Sequence, residues 1–580
     1  MKKTPQRYLV TAALPYANGL KHIGHLAGAY LPADIYVRYL RAQKKDVVFV
    51  CGSDEHGTAI PIQATKEGTT PQAIIDKYHP IIAQNFKDLG IEFDIYHRTS
   101  DPLHHETARA FFTDLEAKGA LETKTTEQYY DEQASSFLAD RFIQGTCPNC
   151  QFPEAYGDQC ENCGKSLSPD ELIQPRSTLS GTTPIKKATT HWYLPLDRHE
   201  AFLRDWIVGE HSEDWRANVV GQCKSWIDGG LQARAVTRDL DWGVRLPEAL
   251  PGSAGKVLYV WFDAPIGYIS ATKQWATDQG KDWRPYWESP DTQLVHFIGK
   301  DNIVFHCIIF PVMLQLHGNI LPENVPANEF MNLEGDKMST SRNWKLEMED
   351  YVQDFIRPEN GGPAMADVLR YYLTQIAPES KDAEFTWKGF QDANNSELVS
   401  IFGNFINRTM VLMHKLCGGK VPALHNECVD AADQELVAAI GQTKVKLEQL
   451  IEGYKFREAQ FELMQLARLG NQYLQKKEPW ILAKNLASAT PITSATTGKT
   501  TSLEQQRIDN CLHFCLQLTA NLAIFCQPFL PFTAAKICHQ LKVVPKMLDW
   551  ENGGSLKLVS TGYSLRPPEL LFRKIEDEEV

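Results

Sequence analysis

Long hydrophobic runs are absent from this 580-residue chain: no eighteen-residue stretch is free of charge and polarity, so no segment reads as membrane-spanning. The N-terminus, Met1-Lys2-Lys3-Thr4, leads into a strand-like run with no apolar signal core, and the expectation is a cytoplasmic protein. Excess positive charge is lacking too, since 59 Lys and Arg face 72 Asp and Glu for a net charge of −13. That balance argues against a general nucleic-acid binder with a basic face. Composition alone predicts no RNA partner. No internal repeat is visible, and most of the 13 cysteines are scattered singly through apolar surroundings, as suits reduced thiols. What is present is ordinary for a folded protein, 43% hydrophobic and 23% charged residues, in a length that implies several domains.

Four apolar runs read as strands of a parallel sheet: Tyr8–Val10, Val47–Val50, Val257–Trp261 and Leu294–Ile298. Polar or glycine-bearing turns follow each one. The pattern predicts an α/β fold, a Rossmann-type doubly wound catalytic domain split into 1–120 and 237–330 by a connective insert at 121–236. A region at 331–389 carries a loop, and 390–580 reads as an all-α helical bundle with apolar three and four spacing at Leu398, Ile401, Phe402, Phe405 and Ile406. Within the bundle the Thr/Ser-rich stretch 487–502 reads as a mobile loop, and the acidic terminal KIEDEEV as frayed.

Ligands of doubly wound folds sit at the carboxyl ends of the strands. There stand Tyr16, Asn18, His22 and His25, then Asp54, Glu55 and His56, then Asp263 and Tyr268, then Lys300, Asp301 and His306. His22 and His25 share one face at a helix start, where free backbone N–H groups and imidazole donors favour phosphate, and Gly24 leaves room for a nucleotide. Two core histidines would give the same spacing. Pro32 should restart this helix. Far along the chain, Lys337-Met338-Ser339-Thr340-Ser341 forms a loop able to bring charge to a polyphosphate; by itself it is only an exposed loop.

Cys147-x-x-Cys150 and Cys160-x-x-Cys163 have the spacing of a tetrahedral, structural Zn2+ site with no open position, against disulfides or redox thiols as alternatives. A small ribbon of this kind needs the metal for stability. Gly164-Lys165-Ser166 mimics a phosphate loop, but Gln159 stands where that motif requires glycine.

The HIGH tetrapeptide and the distant KMSTS loop together resemble the paired signatures of class I aminoacyl-tRNA synthetases. Within that class, ALPYANG (13–19), YVWFDAPIGY (259–268) and HFIGKDN (296–302) with His306 resemble the methionyl-tRNA synthetases, a likeness running from residue 8 to about 484. The resemblance implies a ligase that activates L-methionine with ATP and Mg2+ and transfers it to the 3′-terminal ribose of tRNA(Met), initiator and elongator. It implies ATP contacts from His22, Gly24, His25, Lys300, Asp301, Lys337, Ser339, Thr340 and Ser341. Leu14, Tyr16, Asp54, Trp261, Ala264, Pro265, Tyr268, Asn302 (or Ile303) and His306 would hold methionine. Physically this is an aromatic lining for a polarizable thioether, with Asp54 as counter-charge to the α-ammonium group; plain core packing is the other reading of the aromatics. Asn404, Arg408 and Trp480 would read the CAU anticodon by hydrogen bonds and stacking, although the pattern alone favours a Trp buried under the bundle.

One departure from the family stands at Thr340, where its loop has a second lysine. The expectation is that Arg342 or Lys345 supplies the missing charge. A monomer is expected, and the rival readings are a non-catalytic tRNA-binding relative, a synthetase for another amino acid, or a small adenylyltransferase.

Overall fold

The computed structural model describes residues 4–157, 160, 162–163, 167–338, 344–486, 490–493, 495–496, 498 and 500–580, with Asp140 and Lys337 described in backbone only. Its centre is a five-stranded parallel sheet in the spatial order Ala327–Asn328, Thr292–Gly299, Arg7–Ala12, Asp46–Ser53, Ile95–Arg98. The first strand lies between the second and the Thr292–Gly299 strand, so the chain winds one way from it and later returns on the other side. That switch point opens a crevice at the carboxyl ends. The strands are buried on both faces, with Leu9, Val10, Val48 and Phe49 at 0% exposure, which explains their unbroken apolar reading.

Three of the four expected strands are in this sheet, and the fourth is not. Lys256–Leu258 forms only a short antiparallel pair with Thr237–Asp239, and a helix runs from Val260 to Gln279. Val260 and Trp261, expected at the end of the strand, therefore stand on a helix, which also carries Ala264, Pro265 and Tyr268. The misreading has a physical source: the helix is buried nearly all round, so its apolar start lacks the 3.6-residue alternation. Pro265 is accommodated early in that helix, close to the turn where N–H groups have no intrahelical acceptor. Pro32 falls at the start of the Leu31–Ala42 helix, after a π-helical turn at Leu26–Tyr30.

Between Ile95–Arg98 and Val260 the insert is built on antiparallel strands Glu122–Asp131 and Ile185–Leu194, topped by a three-stranded ribbon, Ile143–Thr146, Ala155–Tyr156 and Ile173–Ser177, around the cysteines. The C-terminal half packs long helices Asn404–Cys417, Ala431–Glu452, Phe456–Lys477 and Leu503–Cys526. Two expectations need correction there. Part of the 487–502 stretch is a hairpin, Pro491–Thr493 against Thr500–Ser502, while residues 487–489, 494, 497 and 499 lie outside the described residues. The acidic end is docked: Ile575 is 1% exposed, Gln391 donates to Asp577 and Arg573 pairs with Glu579.

Candidate active site and metal knuckle

The turn after the first strand is stitched to the end of the second, since the Asp54 N–H donates to Pro15 O and the Ala17 N–H to Asp54 O, both at 2.9 Å. This places Tyr16 beside Asp54. A short helix then opens at Ile23. The His22 N–H donates to His25 Nδ1 at 3.2 Å, so the proton of the His25 ring belongs on Nε2, available to an anion. His22 Nδ1 is buried with no protein hydrogen-bond partner, which leaves it open to a water or a ligand's group. Burial, with Lys21 and Lys345 nearby, lowers the His22 pKa to about 4; His25 is held well below the usual range by burial and His22. Both rings are neutral donors at pH 7.

The distant loop comes to the same place. Ile23 N donates to Leu346 O at 3.0 Å and Met348 N to Lys21 O at 2.7 Å, while a Cβ on Gly24 would stand 2.7 Å from Met338 Cε. The end of the Met338 side chain thus lies against the helix backbone at Gly24. The expected contacts of Ser339, Thr340 and Ser341, and the charge assigned to Arg342, lie outside the described residues, as does the Lys337 side chain. Lys345 is near enough to depress the Lys21, His22 and His25 pKa values and pairs with Glu347. Lys21, 6% exposed with its pKa lowered to about 8 by burial and then Lys345, is a cation at this site that motif reading passed over.

A cleft of about 700 Å³ runs from Tyr16, Asn18 and Trp261 to Tyr129, Arg141 and Lys186 of the insert. Trp261 is 39% exposed, edge-on to Phe305 at 4.0 Å between centroids, which sets it apart from core packing. Behind it Tyr268, 1% exposed, donates to His306 Nε2 at 2.8 Å, and His306 Nδ1 donates to Asn302 O at 3.1 Å. Leu14 packs on the same helix, where a Cβ on Gly267 would stand 2.9 Å from Leu14 Cδ1. Ala264 and Pro265 lie one turn from Tyr268 on that helix. Ile303 is buried in the core, 1% exposed, and Asn302 is the half-buried one of the pair. Lys300 is committed elsewhere, to Glu329 at 2.7 Å and Asp382 at 2.9 Å. It ties the sheet edge to the 331–389 region, so an ATP contact would require it to leave two carboxylates. Asn302 Nδ2 donates to Asp301 Oδ1 at 3.2 Å.

Beneath the pocket His56 Nδ1 and His104 Nε2 both donate to Asp263 Oδ2, at 2.7 and 3.2 Å. With these nitrogens spent on the carboxylate the trio needs no cation. His104 and Arg238, whose guanidinium stacks 3.8 Å from the Tyr259 ring centroid, stand in no recognised pattern in the sequence. Only tertiary proximity reveals them.

The four cysteine sulfurs lie within 4.8 Å of one another, with Cys150–Cys160 at 3.6 Å and Cys147–Cys163 at 3.9 Å. A tetrahedral ion with Zn–S bonds of about 2.3 Å demands S–S edges of about 3.8 Å. The set therefore fits a structural zinc ion. It has only a small core of its own, around Leu138, Ile143 and Leu172.

In the helical half, Asn404 donates to Asn471 at 3.1 Å and the Arg408 guanidinium lies 5.1 Å from the Trp480 ring centroid. All three expected side chains are half-buried on one face. A larger cavity of about 840 Å³, between the amino ends of the strands and the helices, is lined by Tyr8, Glu448, Glu452 and Trp550. It holds none of the expected site residues.

The comparisons place this arrangement in the class I aminoacyl-tRNA synthetases: residues 8–410 match the family described as tRNA synthetases class I (M), and 421–580 match the anticodon binding domain of methionyl tRNA ligase. Methionine–tRNA ligases of Christiangramia forsetii and Bacteroides fragilis are each 54% identical over the whole chain, which covers 81% and 80% of their lengths. The chain belongs to the methionine–tRNA ligase family, and joining methionine to tRNA is its reaction. The same fold occurs in the Mycobacterium tuberculosis methionyl-tRNA synthetase bound by methionyl-adenylate, with a TM-score of 0.76 and 23% identity over 98% of this chain and 100% of that one.

Proposed function

We propose that the cleft between Tyr16, Trp261 and the His22-x-x-His25 helix performs both half-reactions. In the first the methionine carboxylate attacks the α-phosphate of ATP and pyrophosphate leaves. In the second a terminal ribose hydroxyl of tRNA attacks the adenylate. Neither step needs a protein nucleophile, so the residues act by positioning and by stabilising charge. Neutral His22 and His25 donate to phosphate oxygens; Lys21, Lys337 and Lys345 offset the charge of pyrophosphate, and Mg2+ accompanies ATP. Asp54 receives the α-ammonium group, and the Trp261–Tyr268–His306 wall receives the thioether. Such a wall discriminates a missing methyl by only about 1–3 kcal/mol, so homocysteine is a competitor.

The observation that carries this reading is the convergence of the HIGH helix with residues 338 and 344–348, which puts positive charge and unsatisfied imidazole on one mouth. Arg408 and Trp480 read the anticodon of initiator and elongator tRNA(Met), which a few base contacts achieve despite the net charge of −13. Zinc, held by Cys147, Cys150, Cys160 and Cys163, would brace the ribbon. The chain acts as a cytoplasmic monomer; among the described residues no helix is long and apolar enough to cross a membrane. The test is exchange of labelled pyrophosphate into ATP over all twenty amino acids. Exchange with methionine alone supports the assignment and shows that threonine at 340 suffices, whereas folded protein that binds tRNA and catalyses no exchange refutes it in favour of a non-catalytic relative.

A further inference from the structure

Two carboxylates are buried beneath the methionine pocket, Asp54 at 4% and Asp263 at 0% exposure, and no described lysine or arginine forms an ion pair with either. Their hydrogen bonding is unequal. Asp263 Oδ2 receives two imidazole N–H groups, from His56 and His104, and His104 Nδ1 is in turn within 2.9 Å of Ser270 Oγ. Asp54 receives one side-chain bond, from the His56 backbone N–H to Oδ1 at 3.2 Å. Donors to a carboxylate favour its ionised form, and a neighbouring negative charge opposes a second one. The charge therefore settles on Asp263.

The other groups facing Asp54 do not supply a cation. Glu55 is already paired with Arg98 at 3.0 Å, and Tyr16 is a phenol whose pKa is pushed well above its ordinary value by burial and then by Asp54. Burial, and next Asp263, push the Asp54 pKa well above the carboxylate range. Asp263 goes the other way: burial opposes its ionisation, and His56 and His104 outweigh it.

We infer that methionine binding displaces one proton: Asp54 carries it in the empty site beside ionised Asp263, and the incoming α-ammonium group converts Asp54 to the carboxylate it pairs with. Written out, Asp54–COOH and zwitterionic methionine give the Asp54 carboxylate, the bound ammonium and one H+ released to water. Asp263 is thus a positioning residue, setting the charge of Asp54 without touching substrate. The inference rests on the proposed assignment of Asp54 to the α-ammonium group. Its value to the enzyme is selectivity, since a neutral Asp54 holds no inorganic cation and only a ligand that repays the proton's removal is kept.

Calorimetric titration of the full zinc-loaded chain with L-methionine at pH 7, in phosphate and in Tris, reads the proton directly. The expected result is release approaching one proton per methionine, with Kd falling about tenfold per pH unit from pH 6 to 7. Methioninol, which keeps the ammonium group, should release the proton as well. In Asp263→Asn the release should be smaller and Kd less sensitive to pH than in wild type, because the opposing charge is gone while burial still favours the neutral Asp54. Equal heats in both buffers with normal methionine affinity would overturn the proton coupling while leaving the site assignment standing. No binding of methionine at all would overturn the assignment of the site and this inference with it. The wild-type measurement decides the matter even where the variant does not fold.

Discussion

Gly24 shows how one atom sets the local geometry, because Met338 Cε occupies the space a methyl would take, at 2.7 Å, with the His22 ring atoms at 3.0 Å. Gly24→Ala should leave the unfolding midpoint nearly unchanged, since the end of the Met338 side chain can swing aside and alanine favours a helix, yet lower methionine-dependent pyrophosphate exchange several-fold by crowding the His22 ring 3.0 Å away. An unchanged exchange rate would show that this contact does not matter. The histidines carry a second residue-scale consequence. Burial lowers the pKa of His306 to about 4, and burial with Lys21 and Lys345 does the same at His22. The unfolded chain binds protons near 6.5 that the folded chain refuses, so stability is complete above about pH 6.5 and is lost as pH falls toward 4, at about 1.4 kcal/mol per pH unit for fully buried His306. Urea midpoints measured between pH 7 and 4.5 should fall more steeply for wild type than for His306→Gln.

At the scale of elements, the insert and the helical half can be perturbed separately from the sheet. The ribbon's core is small, and zinc supplies about 10–16 kcal/mol to knuckles of this kind. Cys160→Ser should therefore abolish zinc retention, measured by metal analysis after desalting, and open the ribbon to proteolysis near 143–177 while the parallel sheet stays folded. Tight zinc in that variant would refute the four-thiolate assignment. Trp480 lies under the Arg408 guanidinium, and neither lines the cleft. Base stacking is worth about 1–3 kcal/mol, so Trp480→Ala should lower kcat/KM for tRNA aminoacylation roughly 5- to 150-fold and leave pyrophosphate exchange intact. Parallel loss of both activities would mean that Trp480 only supports the bundle.

For the whole molecule, the catalytic and helical halves are joined through Arg370, which is fully buried. It donates to Asp34 at 2.7 Å on the helix that continues from the HIGH turn, to Leu89 O and Gly90 O after the Pro71–Asp88 helix, and to Pro528 O and Phe529 O at the end of the Leu503–Cys526 helix. Arg38 completes the cluster, with Nε 2.7 Å from Asp34 and Nη2 2.8 Å from Gly90 O. Removing one partner of a buried ion pair leaves uncompensated charge and costs about 3–5 kcal/mol. Arg370→Met should thus lower stability by about that amount in denaturant titration and lose tRNA aminoacylation more than pyrophosphate exchange, because only the former requires a fixed distance between anticodon and cleft. A loss under 1 kcal/mol would show the junction to be held by apolar packing instead.

Motifs whose chemistry is local were legible without coordinates. The two CxxC knuckles, the HIGH turn and the three true strands announce themselves because ligand spacing, helix-start chemistry and two-sided burial each leave a pattern in neighbouring residues. Fold class and the four-thiolate knuckle follow from these, whereas the aromatic set proposed for methionine came only from the resemblance to the methionyl-tRNA synthetases. What the tertiary structure alone decided are matters of distance: that 257–261 leads into a helix, that Lys300 is spent on Glu329 and Asp382, that the terminal acidic stretch docks, that Lys21, Asp263 and Arg370 hold charge in buried places, and that His104 is buried as a donor to Asp263. The physical reason is that burial and charge pairing arise between residues hundreds of positions apart, as with Asp34 and Arg370, where no periodicity in the chain records the contact.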